Sequence, residues 1–141
     1  MKKNNAIIGG EGNGGIIYPE LHYGRDSLVG VALFLTHLAN KKMTVSALRA
    51  SYPEYYMSKN KIELTPQIDV DAILVAMTDK YKNEDITTID GVKIDFATEW
   101  VHLRKSNTEP IIRIYTEAPS QKEADVLALR IIDEIKMIAG I

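Results

Sequence analysis

The chain has 141 residues, 45% hydrophobic and 26% charged, enough apolar material for one good core or two small ones. With 17 Lys and Arg against 19 Asp and Glu the formal charge is −2, so a clustered basic face for nucleic acid is not expected. There is no cysteine, which excludes disulfides and thiolate chemistry. Met1-Lys2-Lys3-Asn4-Asn5 carries positive charge without an apolar stretch behind it and does not read as a signal peptide. The longest apolar run, residues 28–35, falls far short of a membrane span. A cytoplasmic protein with neither a membrane nor a nucleic-acid partner is the expectation.

Ala6-Ile7-Ile8 reads as a short strand that ends in a glycine-rich loop, Gly9-Gly10-Glu11-Gly12-Asn13-Gly14-Gly15. Asp26 is placed to N-cap a helix containing Leu28, Val29, Val31, Ala32, Leu33, Phe34, Leu35 and Leu38. That helix is apolar on nearly every side and calls for burial on nearly every side, which one strand does not provide. A larger partner, or another copy of the chain through self-association, is expected to cover it. Residues 44–51 suggest a short helix ended by Pro53, and 51–65 a linker with one strand at 61–64. Thr65-Pro66 predicts the start of a second long helix, with Val70, Ile73, Leu74, Met77 and Tyr81 at helical spacing. The pair Asp90-Gly91 between 86–89 and 92–97 is a strong hairpin signal. Residues 100–104 and 111–116 form a second antiparallel pair. Ser120-Gln121-Lys122-Glu123 is a capping box ahead of Ala124, Leu127, Ala128, Ile131, Ile135 and Ile138.

Between the last two strands stands Arg104-Lys105-Ser106-Asn107-Thr108-Glu109-Pro110, with Arg113 on the strand that follows. Arg104 can fork two N–H donors onto a phosphate, and Ser106 and Thr108 add hydroxyls. The same residues also suit an ordinary polar hairpin connection. Gly10-x-Gly12-x-x-Gly15 satisfies a dinucleotide fingerprint, but Ile16-Ile17-Tyr18-Pro19 follows it instead of a helix. His22, His37 and His102 show no metal-ligand spacing and read as surface or structural. Tyr52, Tyr55 and Tyr56 read as packing within the linker.

The glycine loop followed by Arg-Lys-Ser-Asn-Thr-Glu-Pro-Ile-Ile-Arg-Ile-Tyr resembles the carboxy-terminal part of the α-D-phosphohexomutases. These include the phosphoglucomutases, phosphomannomutases and phosphoglucosamine mutases. The resemblance runs from about residue 5 to about residue 139. It implies that residues 1–43 are the last strand and helix of an α/β third domain and that 44–55 are a linker. Residues 56–141 are then a fourth domain with a TATA-box-binding-protein-like α+β fold, a four-stranded antiparallel sheet with two helices.

Such enzymes move a phosphoryl group between the 1 and 6 positions of a sugar by means of a phosphoserine and a Mg²⁺ held by aspartates. Neither a Ser-His-Asn-Pro loop nor an Asp-Gly-Asp-Gly-Asp loop is present, so no catalytic residue and no metal ligand is expected in this chain. The resemblance implies a hexose phosphate ligand, inactivity of the chain alone, and amino-terminal domains of the same enzyme as partners. Sugar hydroxyls would meet Glu11 and Asn13, where Asn13 and Gly15 depart from the usual Ser and from a common His and tilt the ligand toward glucosamine phosphate. Phosphate would meet Arg104, Ser106, Asn107 and Thr108, with Arg113 as a second cation and Glu109 fixing the loop. The alternative is a stand-alone module that binds sugar phosphates without catalysis.

Overall fold

The computed structural model describes residues 1–11, 14–65, 68–106 and 108–141. The chain divides into two compact units, Met1–Pro53 and Glu54–Ile141.

The first unit begins with a single 3-10 turn, Lys2–Asn4. Strands β1 (Gly9–Gly10) and β2 (Ile16–Ile17) then pair antiparallel as a two-stranded ribbon around the glycine-rich loop. The strand expected at residues 6–8 does not form, and Ile7 and Ile8 are exposed. An apolar strand of that kind needs sheet neighbours on both sides, and this unit offers none. Helix α1 (Ser27–Lys41) starts where expected: the Asp26 carboxylate accepts from the Val29 amide at 3.0 Å. Gly30 lets α1 sit against β2, since a Cβ there would lie 2.6 Å from Ile16 Cγ1. No residue of α1 is buried. A short helix α2 (Val45–Ala50) follows, capped by the Thr44 hydroxyl on the Ala47 amide, and buries Leu48.

The second unit is an antiparallel sheet with two helices on one face. Its strands are β3 (Tyr56–Glu63), β4 (Asp85–Thr87), β5 (Val92–Asp95), β6 (Trp100–Lys105) and β7 (Ile111–Ala118), in the order β3-β7-β6-β5-β4. The sheet thus has five strands instead of four. β3 is eight residues long, not the four expected, because it pairs with β7 along its whole length. Ser58, Lys59, Asn60 and Lys61 are weak strand formers, so local propensity understates what cross-strand pairing supports.

Helix α3 (Val70–Lys80) begins later than Thr65-Pro66 suggested. Asp69 caps it instead, its carboxylate accepting from the Asp71 and Ala72 amides at 3.0 and 3.1 Å; Pro66 lies outside the described residues. Helix α4 (Gln121–Ala139) is capped by Ser120 as read from the sequence and ends on the left-handed Gly140. The core lies between sheet and helices, where Met77, Ile94, Leu103, Ile112, Ile114, Ile131 and Ile135 are all fully buried. Buried Thr116 donates to the Ala124 carbonyl at 2.8 Å and ties β7 to α4. Tyr81 donates to the Glu134 carboxylate across α3 and α4, and burial with that carboxylate pushes the phenol up to about 12.

Candidate functional site

The cationic segment connects β6 to β7, and the register of that pair decides what faces what. Arg104 stands directly opposite Arg113. Alternation puts Val101, Leu103, Ile112 and Ile114 into the core, so Arg104 and Arg113 share the opposite, exposed face. Ser106, next along, is buried at 8% exposure while Thr108 is exposed. The Ser106 amide closes the connection by donating to the Ile111 carbonyl at 3.1 Å, and the Thr108 amide reaches Ser106 Oγ at 3.4 Å. Ser106 Oγ and Thr108 Oγ1 lie 3.4 Å apart. The Glu109 carbonyl accepts from the Ile111 amide at 2.8 Å, so this residue braces the loop through its backbone. Asn107 lies outside the described residues.

Two acids touch the cations. Arg104 Nε sits 3.2 Å from Asp90 Oδ2, and Lys105 Nζ 2.6 Å from Asp71 Oδ2. Both pairs are largely exposed, so their contribution to stability is small. Their geometric effect matters more, because a guanidinium held through Nε still presents its two terminal Nη groups as a fork. Asp90 belongs to the turn before β5, and its carbonyl also accepts from His102 Nε2 at 2.6 Å. Gly91 makes this turn possible. Its φ is +76°, and a Cβ there would meet the Leu103 carbonyl oxygen at 2.1 Å. Sequence reasoning read Asp90-Gly91 as a hairpin turn alone. That its carboxylate reaches Arg104 depends on sheet register.

The glycine-rich loop belongs to the other unit. It is closed by the Glu11 amide on the Gly15 carbonyl at 3.0 Å, and the Gly14 amide donates to the Glu11 carbonyl at 3.1 Å. The Glu11 carboxylate lies 3.8 Å from Arg25, both side chains being more than half exposed. Asn13 lies outside the described residues. Asp26 is occupied as a helix cap, its carboxyl held below the usual range first by the Val29 amide and then by His22.

The three histidines serve local contacts. His22 Nδ1 accepts from the Gly24 amide, which leaves Nε2 as the protonated nitrogen facing Asp26 at 3.2 Å. His37 lies 3.3 Å from the Tyr52 hydroxyl, and His102 is the residue that holds Asp90. Tyr52, Tyr55 and Tyr56 do not pack as expected but remain exposed by 39% or more. Among the described residues no group of three or more His, Asp or Glu could hold a metal ion. Among them, too, no helix is long and apolar enough to cross a membrane.

Residues 59–134 match the family model described as phosphoglucomutase/phosphomannomutase, C-terminal domain, and residues 1–56 match that of the alpha/beta/alpha domain III of the same proteins. The chain is 40% identical over 136 residues to a phosphoglucosamine/phosphogalactosamine mutase of Sulfurisphaera tokodaii, covering 95% of this chain and 29% of that protein. It is 39% identical over 124 residues to a phosphoglucomutase/phosphomannomutase of Thermococcus kodakarensis, covering 88% of this chain and 27% of that one. The chain therefore spans under a third of the curated relatives it matches. A crystal structure of a phosphoglucomutase/phosphomannomutase family protein from Burkholderia thailandensis superposes with a TM-score of 0.69 at 22% identity, over 96% of this chain and 29% of that one. This likeness establishes the fold, and the sheet with its two helices is the TATA-box-binding-protein-like α+β arrangement.

Proposed function

The chain belongs to the phosphoglucomutase/phosphomannomutase family, and from that premise we propose that it supplies the substrate-binding, carboxy-terminal part of a phosphohexomutase. The observation that carries this reading is the hairpin end at which Arg104 and Arg113 face each other beside the Ser106 and Thr108 hydroxyls. Five donors per guanidinium and two hydroxyls suit the three oxygens of a phosphate. In this reading the spectator phosphate of a hexose phosphate binds Arg104, Ser106, Asn107, Thr108 and Arg113. Glu11 and Asn13, in their own unit, are the contacts for sugar hydroxyls. The name of the Sulfurisphaera relative favours an amino-hexose phosphate.

The phosphorylated serine and Mg²⁺ of the reaction belong to the longer enzyme. Among the described residues no group of His, Asp or Glu could hold that metal. The chain by itself is inactive, and its partners are the remaining domains of the same enzyme. Their layers would cover the apolar surface that α1 leaves open.

Phosphate titration of the isotope-labelled chain tests the reading. Amide shifts are expected at 104–106, 108 and 113, with an affinity of roughly millimolar because the site is exposed and screened by salt. Arg104→Ala should abolish the shifts and Arg104→Lys weaken them by loss of the fork. Shifts elsewhere, or parent-like binding by Arg104→Ala, would leave the loop a mere turn. Turnover of hexose phosphates by the repurified chain would refute its role as a binding part only.

A further inference from the structure

Lys61 of β3 stands opposite Arg113 of β7, which stands opposite Arg104 of β6. Cross-strand partners point to one face, so three positive charges line up over two strand spacings, about 10 Å. Like charges directly opposite one another destabilise a sheet. At the ends of the row the repulsion is offset: Lys61 Nζ lies 2.8 Å from Glu63, and Arg104 Nε 3.2 Å from Asp90. Arg113, in the middle, makes no ion pair among the described residues. One rung further, Lys59 stands opposite Tyr115 with its ammonium 5.8 Å from the ring centroid.

These side chains line an open groove. Lys59, Lys61, Arg113 and Tyr115, with Asn60 and Ile111, bound its 230 Å³, and no carboxylate stands in its wall. The hydrogen bond to Glu63, followed by the charges of Glu63 and Glu109, raises the pKa of the Lys61 ammonium, so it stays charged at neutral pH. Lys61 is answered by Glu63, but Lys59 and Arg113 make no ion pair among the described residues, so an anion entering here would meet two uncompensated cations.

We propose that this groove is a second anion subsite, joined to the phosphate loop through Arg113, that takes a second phosphate group of the same ligand. The continuity rests on the reading of the loop as a phosphate site; the groove and its charges do not. Arg113 has donors enough to serve both groups, whereas Lys59 and Lys61 serve only the second. A ligand with one phosphate would leave the groove empty, and one with two or more phosphates in line would span the row.

Titrating the full chain with inorganic phosphate and with tripolyphosphate, at constant ionic strength and with amide shifts as the readout, tests this. Tripolyphosphate should move 59–61 and 115 as well as the loop, and phosphate should move the loop and Arg113 alone. The double variant Lys59→Gln, Lys61→Gln should lower the preference for tripolyphosphate by about five- to tenfold, while phosphate affinity stays within about twofold of the parent. The double variant Lys122→Gln, Lys136→Gln, an equal charge change on α4, should leave that preference unaltered. If the double variant weakens both anions equally, or residues 59–61 never move, the subsite does not exist. Movement at 59–61 without movement in the loop would refute the loop reading and keep the subsite. Loop shifts with both anions and none at 59–61 would do the reverse.

Discussion

Helices α1 and α4 are both rich in aliphatic residues, yet they meet water in opposite ways. α4 buries Ala124, Leu127, Ala128, Ile131 and Ile135 against the sheet. α1 buries nothing, and Leu28, Val31 and Leu35 are 79%, 54% and 55% exposed. What differs is the supply of partners. α4 lies on β3 and β7, two paired eight-residue strands, whereas α1 has a two-residue strand and a six-residue helix beside it. An apolar sequence states a demand for contact, and only neighbouring elements can meet it.

Core truncation should separate the two regions most strongly. Ile131→Ala, at a fully buried position, should cost about 2–5 kcal/mol in urea unfolding of the second unit, whereas Leu35→Ala on α1 should stay within about 0.5 kcal/mol. Equal losses would mean that α1 is covered in solution, most simply by a second copy of the chain.

Gly91→Ala comes next. The positive φ and the clash with the Leu103 carbonyl should together cost about 1–3 kcal/mol in a thermal melt of the second unit, and the Asp90 brace on Arg104 should be lost with them. A neutral result would show that the turn can shift without disturbing β6. Tyr81→Phe should cost less, about 1 kcal/mol, because it removes the hydrogen bond to Glu134 between α3 and α4.

The smallest effect concerns the helix caps. The Asp26 carboxyl is depressed in the folded chain, so its support for α1 is present above its ordinary value of 3.8 and fades as pH falls through the lowered one. Acid titration of the α1 amides should show this loss, and Asp26→Asn should remove the pH dependence.

Features that depend on a few neighbouring atoms were legible in the chain. Asp26 and Ser120 were read as caps because a short polar side chain reaches an amide two or three residues on, wherever the helix later packs. The Asp90-Gly91 hairpin and the loop between two strands followed from equally local turn chemistry. Thr65-Pro66 shows the limit: a good start signal yields to Asp69, whose carboxylate accepts two helix-start amides.

The tertiary structure decided what depends on distant pairing. The length of β3 and its place at the edge of the sheet come from β7, some fifty residues away. Lys59 looked like linker polarity and Lys61 like the first residue of a short strand until register set Lys61 beside Arg113, and Asp90 looked like a turn until it met Arg104. Caps and turns close within a few bonds of the residues that encode them. A row of charges across three strands exists only once those strands have found their register, and no local preference of the residues in it specifies that alignment.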